Sequence, residues 1–223
     1  MLAIIQILNG GIRLPGLALN KYMSADEKVK KEVKRESGDK TYPIWLLVNP
    51  KHPAVSHNIW TPVLAVIQDK VYRDMHMRID SNDIYIRNAV KDSRVVPKTL
   101  NWWGPEVATE IEVFRELVFE YKPKILITFG AFPYEFMRRV FQIKPEKGPK
   151  SWGNSNLGDE FGRAIENFNI NETNRIPLLR RIVESGKFIK DQNDFGENYF
   201  QYVGTKIASK IIQNKDSFNI WIE

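Results

Sequence analysis

Three continuous apolar runs, separated by segments with helical periodicity, set the predicted architecture of this chain. The runs are IWLLV, IYI and KILITF, and each is followed by a polar residue or a glycine. Runs of this kind are typical of strands buried on both faces of a sheet. Between them, apolar residues recur at three- and four-residue steps, as on the buried face of a helix. This alternation predicts an α/β fold with three layers, α/β/α, around a central, mainly parallel sheet of about four strands.

Capping residues place the first helices of this pattern. Ser24 and Glu27 form a capping box before a charged segment that Gly38 ends, which predicts a helix there. Its lysines and arginines are expected to form a solvated face, with a DNA-facing role as the alternative. Thr61 is predicted to cap the next helix, with Pro62 at its first helical position.

The remaining elements give a single predicted domain. Residues 2–8 are apolar and predict a packed helix or strand, whereas residues 143–175 are rich in Gly, Asn and Pro and predict a long irregular excursion. The chain is expected to resume as a strand end or helix at Ile176, to form a helix over residues 199–212 and to end in a last strand. No linker composition interrupts the chain, so one domain is predicted over residues 1–223.

Composition limits the chemistry that the chain can perform. It has no cysteine, which excludes disulfides, thiolate nucleophiles and cysteine-bound metal clusters and fits a cytoplasmic location. The net charge of +6 at pH 7 suits a polyanionic partner, and a mildly basic enzyme without such a partner is the alternative. No apolar segment has the length of a membrane span, and the N-terminus lacks a basic leader and a cleavage site, so neither membrane association nor a signal peptide is expected.

Parallel α/β sheets bind ligands outside the carboxyl ends of their strands, and this rule selects three segments of the chain. The first, VNPKHPAVSHN, carries Asn49, Pro50, His52 and His57. Asn49 or a histidine can position a water or stabilise an oxyanion there, which makes Asn49, His52 and His57 the candidate catalytic residues. Alternatively, these polar groups satisfy the backbone of a proline-rich turn. The two histidines have no nearby carboxylate or cysteine, so no metal and no cofactor are expected.

The second and third segments carry candidate ligand-binding residues. Asn88 follows the second apolar run, and its amide offers an acceptor and a donor that match one edge of uracil, with a turn cap as the alternative. Gly130 permits a tight turn after the third run. Phe129 and Phe132 flank that glycine, either as a stacking wall for a ligand or as part of the core.

These segments, in this order, resemble the uracil-DNA glycosylase superfamily. IYIRNAV, a loop and the stretch GPEVATEIEVFRELVFEYKPKILITFG are similar to its strand–Asn–loop, its P-x-E-v helix and the KPK strand that ends in glycine. LLVNPKHP resembles the first motif of the mismatch-specific branch, and IPLLRR occupies the place of the His-Pro-Ser segment that inserts into the duplex. The resemblance covers residues 43–212 and is best over residues 84–130.

The resemblance implies that the protein hydrolyses the N-glycosidic bond of a damaged or deaminated base in DNA. In that family a flipped pyrimidine is held in a pocket, and negative charge collects on the leaving base in the transition state. By resemblance, Asn49 matches the water-positioning asparagine and Asn88 the base-reading asparagine, with Pro50, Gly130 and the two phenylalanines beside them as substrate-binding candidates. The implied partner is DNA or a nucleobase-containing ligand.

Basic residues beside these segments are the candidate contacts to DNA phosphates. One pair lies in the helix that follows the third apolar run, and the others lie in or after the IPLLRR segment. They are Arg138, Arg139, Arg180, Arg181 and Lys187.

Departures from the family pattern keep alternatives open. Leu47 and Lys51 stand where the first motif has glycines, no acidic residue occupies the activating position, and Ile176 stands where the later motif has histidine. Substitution of that histidine by His52 or His57 is a hypothesis. The alternatives are a non-catalytic nucleobase-, nucleotide- or DNA-binding member of the superfamily, and an unrelated α/β hydrolase on a small molecule with GNSNLGDEFG as its substrate loop.

Overall fold

The computed structural model describes residues 36–96, 104–182, 187–189 and 199–222. Its strands are β1 (Glu36–Ser37), β2 (Ile44–Val48), β3 (Arg78–Ile79), β4 (Tyr85–Asn88), β5 (Ile125–Phe129), β6 (Asn174–Leu178) and β7 (Trp221–Ile222). Its α-helices are α1 (Thr61–Met75), α2 (Pro105–Tyr121), α3 (Ala131–Val140), α4 (Asn154–Glu166) and α5 (Tyr199–Gln213). Helices separate the parallel strands along the chain, as the apolar pattern predicts.

The central sheet has five strands in the order β1-β4-β2-β5-β6. Strands β4, β2, β5 and β6 are parallel to their neighbours, and β1 pairs antiparallel with β4 at one edge. Helices pack on this sheet in a three-layer α/β arrangement. The predicted fold class is therefore confirmed, and the short antiparallel strand β1 adds one strand to the four parallel ones.

Strand β2 lies in the middle of the sheet and is buried along its whole length. Trp45 packs against Tyr85 of β4 with ring centroids 4.7 Å apart, and against Phe114 of α2 at 6.0 Å. Phe114 in turn lies 6.0 Å from Phe136 of α3. These contacts hold α2 and α3 on one face of the sheet, and aromatic pairs of this kind add about 0.5–1.5 kcal/mol each beyond burial.

Helices α1 and α5 pack closely against each other at Gly204. A Cβ at this position would lie 2.7 Å from the Cβ of Val66 and 3.1 Å from the carbonyl oxygen of Val63, both on α1. Glycine is therefore needed for the close approach of the two helices. Gly162 of α4 provides a contrast, because a Cβ there would meet nothing within 4 Å.

The C-terminal segment forms its predicted last strand outside the central sheet. Strand β7 pairs antiparallel with β3, and Ile79 lies opposite Trp221. The side-chain amide of Gln68 on α1 donates to the Ile79 carbonyl at 2.7 Å and accepts from its N–H at 2.9 Å. These bonds satisfy one side of β3 and attach the small sheet to α1.

The start of α1 differs from the prediction because a π-helical turn, Ser56–Trp60, precedes it. Trp60 occupies the N-cap position in a helical conformation, and the Thr61 hydroxyl donates back to the Ser56 carbonyl at 3.0 Å. The prediction of Thr61 as N-cap is therefore wrong, and Pro62 is the second residue of α1. Proline removes one backbone hydrogen bond from a helix, which fits the local widening of the turn before it.

Two further predictions are corrected. The charged segment predicted to be a helix up to Gly38 ends instead in strand β1, and Gly38 has a positive φ of 84°. The excursion predicted over residues 143–175 contains helix α4, whose buried residues Leu157 and Phe161 repeat at a helical interval. Because GNSNLGDEFG falls mainly in this helix, it does not form the substrate loop of the small-molecule alternative.

Some predictions fall on residues that the structure does not describe. They include the element at residues 2–8 and the capping box of Ser24 and Glu27. The described residues all lie within one compact unit, Arg35–Glu223. A single domain over residues 1–223 stays a prediction.

Gly204→Ala is expected to lower the free energy of unfolding by about 1–3 kcal/mol, because the new methyl group overlaps Val66. Gly162→Ala is the matched control, and it is expected to raise the free energy of unfolding by about 0.5–1 kcal/mol through better helix propensity. Urea unfolding followed by circular dichroism measures both changes. A stabilised Gly204→Ala variant would contradict the close packing of α1 and α5.

Candidate functional site at the carboxyl edge of the sheet

The order in which the chain builds its parallel strands creates a topological switch point at one edge of the sheet. From β2 the chain passes to β4 on one side, and it then crosses to β5 and β6 on the other side. The direction reverses between β2 and β5, and open parallel sheets bind ligands outside the strand ends at such a switch point. Asn49 follows β2 and Gly130 follows β5 at this place.

Asn49 shapes the turn that leaves β2. Its side-chain oxygen accepts from the Lys51 N–H at 2.9 Å, and its carbonyl accepts from the His52 N–H at 2.8 Å. The residue is 8% exposed, and its side-chain NH2 makes no hydrogen bond within the described residues. The oxygen of Asn49 therefore stabilises the turn, while its NH2 is the part that can donate to a ligand.

A contact between His52 and Arg180 joins the ends of β2 and β6. The Nη1 of Arg180 contacts the Nε2 of His52, although the two residues are 128 positions apart. A guanidinium only donates hydrogen bonds, so Nε2 accepts and the ring proton of a neutral His52 lies on Nδ1. Burial lowers the pKa of His52 first, and the charges of Arg180, Arg181 and Lys51 lower it further. Both effects favour the neutral form of the His52 imidazole.

Gly130 shapes the turn from β5 into α3. Its φ of 79° and ψ of −174° lie in a region that is essentially restricted to glycine. A Cβ at Gly130 would also lie 3.1 Å from the Cβ of Arg180. Glycine therefore allows Arg180, the second residue after β6, to approach the start of α3. The predicted tight turn is confirmed, and it sets Arg180 beside the positive end of α3.

Asn88 ends β4 directly beside the end of β2. It pairs in register with Val48, and the Ala89 N–H donates to the Val48 carbonyl at 2.8 Å. The Asn88 side chain is half-buried and makes no hydrogen bond to any residue in the described part of the chain. A turn cap would bond to nearby backbone, as Asn49 does, so the described structure does not support the turn-cap alternative for Asn88.

Asn88 lines a pocket of about 410 Å³ between α2 and the outer strands β1 and β4. The other lining residues include Arg87, Lys91 and glutamates of α2. Arg87 is fixed by a 3.3 Å ion pair with Glu110, in which both side chains are largely buried. The volume suits a small heterocycle, but Asn49 and the histidines do not line this pocket. The structure therefore brings Asn49, His52, Gly130 and Arg180 together at one edge of the sheet, whereas Asn88 lines a pocket that contains none of them.

The aromatic residues around Gly130 lie in the core. Phe129 is 1% and Phe132 is 6% exposed, and Phe132 packs on Phe136 with ring centroids 6.3 Å apart. Neither ring presents an exposed face to a ligand, so the stacking-wall hypothesis gives way to core packing. Pro50 is half-buried in the turn after β2.

A buried carboxylate holds two of the predicted phosphate contacts. Glu135 is fully buried and lies 3.5 Å from Arg138 and 3.2 Å from Arg139, and it accepts from the Trp152 indole at 2.8 Å. Arg138 is itself 6% exposed and lies over the Trp152 ring at 4.9 Å. The Arg138 guanidinium therefore joins α3 to the loop before α4 and is not placed to contact a phosphate, which corrects its predicted role.

The other predicted site residues are at or near the surface. Arg181 and Lys187 are exposed, and Arg180 is half-buried. His57 is exposed on the π-helical turn, and its imidazole has no hydrogen-bond or ion-pair partner among the described residues. The structure thus separates His57 from the contact that His52 makes with Arg180.

Two polar residues at this edge were not among the predicted site residues. The ammonium of Lys51 donates to the Val96 carbonyl at 2.9 Å and acts on the pKa of His52. The only feature that singled out Lys51 in the sequence is that it stands where the first motif of the family has a glycine. Thr128 of β5 is fully buried, and its hydroxyl has no hydrogen-bond partner in the described structure. A threonine in a strand carries no signal of this kind in the sequence.

Metal-ligand clusters and membrane-spanning helices are both absent from the described ranges. No group of three or more His, Cys, Asp or Glu side chains is placed there to hold a metal ion. None of the helices in the same ranges is long and apolar enough to cross a membrane.

Comparison with known proteins assigns no family to this chain. No protein-family model matches the chain, and no curated protein sequence matches it. The likeness to the uracil-DNA glycosylase superfamily therefore rests on the segments quoted above.

Arg138→Met is expected to lower the free energy of unfolding by about 3 kcal/mol, because it removes a partner from the buried carboxylate of Glu135. Arg181→Met makes the same chemical change at an exposed position. It is expected to alter the free energy of unfolding by less than about 0.5 kcal/mol. Chemical unfolding of the two variants checks the difference. Equal, small effects would show that the Glu135 ion pairs do not stabilise the fold.

The pKa of His52 is expected to lie below the ordinary histidine value of about 6.5 and to rise toward it in Arg180→Gln. Burial and three nearby cations oppose protonation of the folded state, and the substitution removes one of those cations. Titration of the ring protons by NMR measures the pKa, and His57→Gln and His76→Gln together assign the signals.

The sign of the resulting stability change follows from linkage. Because the folded pKa of His52 is lower than the unfolded one, its contribution is complete above about pH 6.5 and is lost as the pH falls toward the folded pKa. A His52 pKa at or above the ordinary value in the parent protein would refute the assigned environment.

Proposed function

We propose that the protein recognises a nucleobase at the carboxyl edge of its sheet and hydrolyses the N-glycosidic bond of a damaged or deaminated base in DNA. The observation that carries the proposal is the carboxamide of Asn88, which ends a parallel strand without a hydrogen-bond partner in the described residues. A free amide satisfies a donor and an acceptor on the edge of a heterocycle. The side-chain oxygen of Asn49 already accepts a hydrogen bond from the turn, so Asn88 is the asparagine that reads the base.

The cations around His52 suit the departure of an anionic base. In glycoside hydrolysis the sugar gains oxocarbenium character, and negative charge collects on the leaving group. Lys51, Arg180 and Arg181 all act on His52 with positive charge, and positive groups beside a leaving base stabilise such an anion. The NH2 of Asn49 supplies a neutral donor at the same edge.

Activation of the attacking water is the demanding step for this site. Water must lose a proton as it bonds to the sugar carbon, and an imidazole can accept that proton only through an unprotonated nitrogen. The Nε2 of His52 faces Arg180, so His52 serves as a base only when Arg180 moves away. No carboxylate is among the groups that shift the pKa of His52.

Binding without cleavage is therefore a second candidate function. The engagement of His52 by Arg180 and of the Asn49 oxygen by Lys51 favours it. In this case the protein binds a nucleobase, a nucleotide or DNA through Asn88 and the basic residues, and it performs no hydrolysis.

Oligonucleotides that contain uracil, hypoxanthine or xanthine test the proposal in single- and double-stranded form. We expect base release, detected as alkali-induced strand cleavage at the abasic site. Asn88→Ala is expected to reduce it by about 10- to 100-fold, because one bidentate base contact is worth about 1–3 kcal/mol. Asn82→Ala, an exposed asparagine before β4, is the matched control and is expected to keep full activity.

Binding measured on the same oligonucleotides separates the two candidates. Binding without base release, weakened by Asn88→Ala, would support the non-catalytic function and overturn hydrolysis. Absence of both binding and release would overturn nucleobase recognition for these lesions.

A further inference from the structure

Arg180 is a half-buried cation without a carboxylate partner in the described residues. Its guanidinium contacts a neutral imidazole, whereas Arg87, Arg115 and Arg138 each pair with a glutamate. Charges that leave water are normally paired, because desolvation without compensation is costly. The charge of Arg180 is therefore available to an anion from outside the described chain.

Further positive groups lie close to Arg180 and to its partner His52. Arg181 follows it, and the Lys51 ammonium lies close enough to lower the pKa of His52. Burial lowers the pKa of Arg180 itself, and the charge of Arg181 adds to this effect. The start of α3 at Gly130 approaches the Arg180 side chain, so the positive end of that helix adds to the same field.

We propose that Arg180, with Lys51, Arg181 and the imidazole of His52, forms a binding site for a phosphate group at the switch point between β2 and β5. A guanidinium presents two parallel N–H donors that match two phosphate oxygens. The inference rests on the proposed function for the source of the phosphate, which is a nucleic-acid backbone or a nucleotide. The site itself does not depend on base recognition or on hydrolysis.

His52 has a positioning role in this site. By accepting from Nη1 of Arg180 it orients the guanidinium, and it adds no positive charge of its own while it is neutral. The charges that act on the His52 ring are those of Arg180, Arg181 and Lys51, from the turns after β6 and β2. A bound phosphate offsets these three cations, so phosphate binding and protonation of His52 favour each other by linkage.

Titration of the full chain with inorganic phosphate tests the site. Ionic strength is held constant with chloride, and the His52 ring signals are followed by NMR. We expect saturable shifts and a rise in the pKa of His52 as phosphate binds. Arg180→Gln is expected to weaken binding by at least about tenfold, because it removes a charge-assisted bidentate contact.

Control variants make the result specific to this site. Arg73→Gln removes an exposed arginine that already pairs with Asp69 at 2.6 Å, and it is expected to leave the affinity for phosphate unchanged. Arg180→Lys keeps the charge without the fork and is expected to keep part of the affinity, so it tests the site if Arg180→Gln folds poorly. Shifts that do not saturate, or that are unchanged in both Arg180 variants, would overturn the proposal.

Two further probes identify the source of the phosphate. Tighter binding of deoxyuridine monophosphate than of an unmodified single-stranded oligonucleotide supports a terminal phosphate as the ligand, and the reverse order supports a backbone phosphate. Asn88→Ala is expected to leave the affinity for inorganic phosphate unchanged. In the parent protein, phosphate binding without base recognition overturns the proposed function alone, and base recognition without saturable phosphate binding overturns the phosphate site alone.

Discussion

The pairing of β2 on both of its sides determines where every candidate residue lies. Strand β2 is parallel to β4 and to β5, so the turns after these strands emerge at one edge. Its own side chains are fully buried, and the packing of Trp45 against Tyr85 and Phe114 holds the register of the strand. A shift of β2 by one residue would reverse its faces and separate Asn49 from Gly130.

Asn49 and Asn88 show how the same residue type serves two purposes at neighbouring strand ends. Asn49 is buried, and its side-chain oxygen accepts a hydrogen bond from the backbone of a tight turn. That oxygen therefore has a structural role. Asn88 is half-buried and keeps both amide groups free within the described residues. An unused amide is costly to bury without a partner, and a ligand that supplied the partner would offset that cost.

The fold was largely predictable because its strands are continuous apolar runs and α5 has a clear helical stripe. Helix α4 was missed because Gly158 and Gly162 lower helix propensity, although Leu157, Phe161 and Ile165 keep the helical interval. Gly158 is needed because a Cβ there would lie 2.0 Å from the Phe188 carbonyl oxygen. That contact joins residues far apart in the chain, and a local pattern does not contain it.

The candidate site was predictable in position but not in chemistry. The strand-end rule placed Asn49, His52 and Gly130 at the same edge. Hydrogen-bond partners could not be predicted, because the partner of His52 comes from the turn after β6 and the role of Arg138 depends on a buried glutamate and a tryptophan. Sequence spacing gives the place of a charged side chain, whereas its partners decide whether the charge is free to bind a ligand.

The contact between His52 and Arg180 links the two candidate functions physically. While Arg180 donates to Nε2, the imidazole cannot accept a proton from water, and the guanidinium is partly occupied by a neutral group. The proposed hydrolysis requires Arg180 to leave Nε2, whereas the proposed phosphate site uses Arg180 in the orientation that this contact gives it. A protein that only binds would therefore keep the contact when its ligand is present, and a hydrolase that uses His52 as a base would lose it.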